Sequence, residues 1–159
     1  MIDSRRASVE DAAELMRLRT VMLEAIPGSE ITAGPWVTEG IAILRRQLAD
    51  PSDLLAAFVV DRPDRPGLAA CVVGAIDQRL PGPRDPTGLR GYVFSVATDP
   101  TYRRRGYSRA CMTALLAWYA RRGIGAVDLR ASPDGEPLYT DLGFTRAALP
   151  GMRLFIPAR

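Results

Sequence analysis

The sequence contains no lysine, no histidine and no asparagine, so every one of its 21 basic side chains is an arginine. Without an imidazole or a side-chain amine, it offers no histidine base or nucleophile and no Schiff-base lysine. Only two cysteines occur, Cys71 and Cys111, and they are not in Cys-x-x-Cys spacing. With no histidine to accompany them, the usual zinc ligand sets are excluded, and no metal is expected. Both cysteines lie in apolar stretches, which fits reduced thiols packed as small hydrophobes; a reactive Cys111 is the alternative. No stretch reaches about 18 uninterrupted apolar residues, and the N-terminus lacks an apolar run followed by a small-residue cleavage site. These absences lead us to expect a soluble, cytoplasmic protein with no membrane partner.

What is present is enough for one core. At 159 residues and 47% hydrophobic content, the chain fits a single domain over residues 1–159. The 21 basic against 18 acidic residues leave a formal charge of only +3. That excess suits a modestly polyanionic ligand better than a nucleic-acid track, and no nucleic-acid partner is expected.

Along the chain, Ser8 and Asp11 form a variant capping box ahead of Ala12, Leu15, Met16 and Met22, which recur at helical spacing until Pro27-Gly28. Thr38 to Ala49 carries Ile41, Leu44 and Leu48 on one face of a second helix. Leu54–Val60 and Leu68–Ile76 are apolar, partly β-branched runs joined by a turn-rich Asp61–Gly67 segment, the pattern of a central antiparallel hairpin. Asp77 to Gly91, with three prolines and three glycines, reads as a long loop, either an idle excursion or a lid. Tyr92–Thr98 reads as a strand closed by Asp99-Pro100. Tyr107–Arg122 is a helix apolar on most faces, hence largely buried, with Gly123 at its C-terminal cap. Ala126–Ala131 is a short strand, Pro137–Leu142 a short helix ended by Gly143, and Met152–Ile156 a terminal strand.

Between the Tyr92–Thr98 strand and the buried helix lies Arg103-Arg104-Arg105-Gly106-Tyr107-Ser108. A helix N-terminus presents unpaired N–H groups and a partial positive charge. Gly106 lets a phosphate approach the backbone, the arginines add fixed charge, and the small Ser108 offers its hydroxyl and N–H. The run suits a pyrophosphate, although three arginines before a helix also describe a solvated turn. It is neither a Walker loop, lacking Gly-Lys-[Ser/Thr], nor a dinucleotide fingerprint, since Gly106 stands alone.

The run resembles the signature [Gln/Arg]-x-x-Gly-x-[Gly/Ala] of the GNAT superfamily of acyl-CoA-dependent N-acetyltransferases, met by Arg103-x-x-Gly106-x-Ser108. Ser108 is the departure, and it is still small. Val96-Ala97-Thr98-Asp99-Pro100-Thr101-Tyr102-Arg103 is similar to the family's strand, turn and phosphate loop in unbroken order. Leu138-Tyr139-Thr140-Asp141-Leu142-Gly143-Phe144 resembles its closing motif. The element order also resembles that of the family across nearly the whole chain. The resemblance implies an α+β fold, with a mostly antiparallel twisted sheet of six to seven strands flanked by helices and splayed at the CoA site.

It further implies acetyl-CoA as co-substrate, with no metal, and a small-molecule or peptide amine as acceptor. Backbone groups of Val96, Ala97 and Thr98 would meet the pantetheine and the thioester. Arg103, Arg104, Arg105, Gly106, Tyr107, Ser108 and Arg109 would hold the phosphates. Preorganised N–H donors would steady the oxyanion, and the Tyr139 hydroxyl would protonate the leaving thiolate, a buried core tyrosine being the plainer reading. Ser132 stands where many relatives carry an asparagine against pantetheine, and Val127 where some place a glutamate base. The base is therefore unassigned among Asp128, Glu24, Glu30, Glu136 and a water chain. Trp36 is either a wall of the acceptor pocket or a packing staple at a helix start. An N-acetyltransferase is the leading expectation, and a non-catalytic acyl-CoA-binding or sensing domain is the alternative. A homodimer through sheet edges or the Met152–Ile156 strand is a further expectation from the resemblance.

Overall fold

In a computed structural model that describes residues 1–159, the alternating and apolar runs form one five-stranded sheet covered on both faces. The strands are β1 (Arg5–Arg6), β2 (Leu55–Asp61), β3 (Leu68–Gln78), β4 (Leu89–Thr98) and β5 (Val127–Leu129), lying side by side in chain order. Neighbours are antiparallel except β4 and β5, which run parallel. β2 and β3 are buried along nearly their whole length, which explains why they read as continuous apolar runs rather than alternating ones. Gly67, at φ 111°, closes the turn between them, and the Arg62 N–H donates to its carbonyl at 2.9 Å.

Helices α1 (Ala12–Glu24) and α2 (Pro35–Ala49) cover one face. Leu15, Met16, Leu18 and Leu44 pack there with Ala57, Val59, Cys71, Val73 and Ala97. The capping box forms as expected. The Ser8 N–H donates to Asp11 at 2.8 Å, and a 3-10 turn, Val9–Asp11, leads into α1. Helices α3 (Tyr107–Arg121) and α4 (Glu136–Asp141) cover the opposite face. Cys111, Met112, Leu115, Trp118 and Tyr119 are all buried on α3. Each large apolar side chain so buried contributes roughly 1.5–3 kcal/mol, so this face rather than helix propensity holds α3 in place. Glycines at 74 and 91 admit Tyr119. A Cβ on Gly91 would lie 2.8 Å from its ring, and its hydroxyl reaches the carbonyls of Ala75 at 3.0 Å and Tyr92 at 3.1 Å, pinning β3 to β4.

Two irregularities in β4 shape the site. The β3–β4 register slips between Cys71, paired with Ala97, and Val73, paired with Phe94, and Ser95 takes φ 54°. This is a β-bulge, which turns Phe94 and Ser95 to the same side and bends the strand. β5 then pairs only with Gly91, Tyr92 and Val93, so from Phe94 onward β4 has no strand on that flank. The open flank lies where a splay was expected, and it arises because β5 ends at Leu129.

The terminal strand expected over Met152–Ile156 does not form. Met152, Leu154, Phe155 and Ile156 are between 81% and 89% exposed. Strand propensity is expressed only against a neighbour, and the three-residue β5 offers a short edge, with the Arg130 guanidinium beside Gly151. The sheet accordingly has five strands where six to seven were expected. The long loop is shorter than its sequence range, since β3 extends to Gln78 and β4 begins at Leu89. It closes on itself through the Arg79 N–H to Gly88 carbonyl bond (2.7 Å), at the end of β4 remote from the arginine run. No helix is long and apolar enough to cross a membrane.

Candidate functional site

The turn after β4 is fixed before the arginine run begins. Asp99, only 6% exposed, accepts from the Thr101 N–H at 3.1 Å and from both Arg17 and Arg62 at 2.9 Å. Burial pushes its carboxyl up, but the Thr101 N–H and the two guanidiniums outweigh that and hold it below the ordinary carboxylate value. Tyr102 is buried and its hydroxyl donates to Asp64, while Arg105 stacks over its ring with 5.3 Å to the centroid. These contacts hold a turn that is otherwise solvent-facing.

Beyond it the backbone twists twice into the left-handed region, at Arg104 (φ 64°) and at Gly106 (φ 78°), the N-cap of α3. No backbone N–H from Arg103 to Arg109 finds an acceptor within the chain, the first such bond of α3 running from Ala110 to Gly106 at 3.1 Å. Successive free N–H groups about such left-handed residues can form a concave anion cradle, and the helix N-terminus adds its partial charge. Arg103, Arg104 and Arg105 are exposed at its rim, and Tyr107 and Ser108 are half-buried. Arg109 points away, into an ion pair with Asp141 at 2.8 Å.

The cradle meets the open flank of β4 directly. Thr98 Oγ1 and Ser108 Oγ lie 2.6 Å apart, so the serine hydroxyl is engaged by the strand and its N–H is the group left free. Val96 packs on the α3 side of the sheet, within the apolar cluster that includes Tyr139. Ala97 faces α1.

Tyr139 is buried, its ring meeting Phe144 edge-on with centroids 6.1 Å apart. Burial alone pushes its phenol above the ordinary value, so it stays protonated at neutral pH. Ser132 is exposed and its hydroxyl accepts from the Gly135 N–H at 3.2 Å. A Cβ on Gly135 would lie 3.2 Å from Ser132 Oγ and 3.3 Å from the Tyr139 hydroxyl, so both oxygens flank one spot. Gly135 is thus part of the site, and nothing in the sequence singled it out, because its role lies in the side chain it lacks.

Two of the carboxylates considered as bases are engaged by arginines. Glu136 is bound by Arg146 at 2.5 Å, and Asp128 faces Arg90 at 3.7 Å. Trp36 donates from Nε1 to the Thr32 carbonyl at 3.1 Å and packs on the α1–α2 core, as a staple does. Both cysteines are buried, and burial pushes the Cys111 thiol up to about 12, which makes it inert at neutral pH. No group of three or more histidine, cysteine, aspartate or glutamate residues forms a metal cluster.

An N–H cradle at a buried helix thus opens onto an unpaired strand flank, with a protonated phenol nearby. Residues 14–144 match the model of the acetyltransferase (GNAT) family, and the chain belongs to that family, whose members use acetyl-CoA as co-substrate. No curated protein matches the chain. Among solved structures, a predicted acetyltransferase with acetyl-CoA from Clostridium acetobutylicum is similar at 24% identity, with 98% of this chain and 96% of that one covered and a TM-score of 0.81. A GCN5-related N-acetyltransferase from Ralstonia eutropha aligns at 23% identity over 97% of this chain and 99% of its own, with a TM-score of 0.82. Glucosamine-6-phosphate N-acetyltransferase from Arabidopsis thaliana is similar at 15% identity over 98% and 99%, with a TM-score of 0.76. At these identities the likeness is one of fold.

Proposed function

We propose that residues 1–159 act as one N-acetyltransferase domain that moves an acetyl group from acetyl-CoA to a primary amine of a small molecule or peptide. The observation that carries this reading is the row of free N–H groups from Arg103 to Arg109, joined to the open flank of β4 through the Thr98–Ser108 contact. The donor set fits the ligand. Main-chain N–H groups and three rim arginines suit a diphosphate, and an unpaired strand flank suits the amides of pantetheine.

Acetyl-CoA, when bound, would supply an acetyl group activated as a thioester, whose carbonyl carbon would bond to the amine nitrogen as the bond to the CoA sulfur breaks. Main-chain groups of Val96, Ala97 and Thr98 orient the chain of the co-substrate and direct N–H donors at the carbonyl oxygen, where negative charge develops. Tyr139 holds a proton for the departing sulfur, its burial keeping the phenol protonated and in place. Ser132 and Gly135 define the space beside that hydroxyl. With Glu136 and Asp128 engaged by arginines, the amine gives its proton to solvent, and kcat/KM should rise with pH up to the acceptor's own pKa.

The test is acetyl-CoA-induced stabilisation measured together with CoA thiol release over a panel of amines. Stabilisation with thiol release supports the enzyme. Stabilisation without release from any amine would leave an acyl-CoA-binding or sensing domain.

A further inference from the structure

The face of the sheet opposite α3 carries an arginine that the co-substrate site does not use. Arg19 lies on α1, half-buried, and its guanidinium donates to the hydroxyl of Ser95 in the β4 bulge. Two residues earlier, Arg17 is fully paired with Glu14 and Asp99, at 2.8 and 2.9 Å. Arg19 makes no ion pair; its one polar partner is a neutral hydroxyl. A charge partly withdrawn from water is normally matched by an opposite one, so a half-buried, unmatched guanidinium points to a ligand that supplies it.

Its surroundings support that reading. Ser95 is buried and held at φ 54°, and such strained backbone persists mostly where a site requires it. Tyr92 and Phe94 project on the same side of β4, both half-buried, with rings stacked at 6.4 Å and 28°. Across from Tyr92, Asp128 and Arg90 neutralise each other, which leaves Arg19 as the unpaired charge beside the aromatic pair. This surface adjoins the open flank of β4, which starts at Phe94. α1 and α2 cover this face as α3 and α4 cover the other, so Arg19 would meet an amine that approaches along the open flank of β4.

We propose that Arg19 determines acceptor specificity by binding an oxyanion of the substrate, so that the acceptor is an amine that also carries a carboxylate or a phosphate, seated against Tyr92 and Phe94. This rests on the acetyltransferase reading above. The test compares kcat/KM within matched pairs, phenylalanine against its primary amide and glucosamine 6-phosphate against glucosamine, for the wild type, Arg19→Gln and Arg19→Lys. The wild type should favour the anionic member of at least one pair by about ten-fold or more, the scale of one charge-assisted contact. Arg19→Gln should abolish that ratio and Arg19→Lys restore part of it. The pair that shows the preference distinguishes carboxylate from phosphate. Ratios near one in both pairs, a ratio retained in Arg19→Gln, or no transfer to any of the four amines while acetyl-CoA raises the melting temperature would each overturn the assignment. Failure of acetyl-CoA to stabilise the wild type would instead overturn the acetyltransferase reading on which it rests.

Discussion

Replacing Arg104 by glycine should move stability and ligand affinity in opposite directions. Arg104 is a non-glycine residue at φ 64°, a conformation that costs an L-residue roughly 1–2 kcal/mol. Glycine removes that cost but adds freedom to the unfolded chain worth about 0.5–1 kcal/mol. The net gain is about 0.5 kcal/mol, or a rise in Tm of about 1–2 °C for a chain of this size. Arg104 is also exposed at the rim of the cradle, where loss of one cation facing a phosphate costs about 1 kcal/mol, near a five-fold increase in Kd. Gly106→Ala is the contrasting variant. Its φ of 78° and a Cβ placed 3.1 Å from Ile2 Cδ1 should lower Tm by a few degrees and affinity together. Thermal melts and calorimetric titration with acetyl-CoA, each at low and high salt, read both quantities. An Arg104→Gly protein that binds acetyl-CoA as tightly as wild type at low salt, or melts several degrees lower, would refute the reasoning.

Tyr139→Phe should lower kcat by about a hundredfold, the usual contribution of a general acid, while acetyl-CoA affinity stays within about two-fold; equal turnover would make Tyr139 a packing residue only. Asp99→Asn leaves Arg17 and Arg62 facing a neutral group and should cost about 3 kcal/mol, a fall in Tm of about 6–12 °C. Because the folded state depresses the Asp99 carboxyl, its contribution is complete above the ordinary carboxylate pKa of about 3.9 and fades as pH drops through the lower folded value. Wild-type Tm should therefore decline in acid below about pH 4, and the Asp99→Asn curve should be flatter there. Gly91→Ala drives a methyl into the Tyr119 ring and should destabilise by about 1–3 kcal/mol, measurable by urea unfolding.

Features that depend on local chemistry were legible in the sequence: the capping box at Ser8, the β2–β3 hairpin, the apolar α3 and the anion cradle after Thr98. Each is encoded by residues that are neighbours in the chain or one helical turn apart. The Met152–Ile156 segment carries strand propensity, but a strand also needs an edge to pair with, and β5 is three residues long. The bulge at Ser95 was equally hidden, because an alternating run looks the same with or without a residue slipped against its partner. Arg19, Ser95, Tyr92 and Phe94 come together only through that bulge and the packing of α1 on β4. Gly135 was silent for a related reason, since its importance lies in a methyl group that would crowd Tyr139. The Arg103–Ser108 run before α3 was thus readable, whereas the contact of Arg19 with Ser95 had to be seen folded.

The most direct test of the account is a titration of wild-type protein with acetyl-CoA, followed by CoA thiol detection with an anionic amine present. Binding should be saturable and weaken with salt, and thiol release should require the amine. Binding that ignores salt, or thiol release at the same rate without any amine, would contradict it.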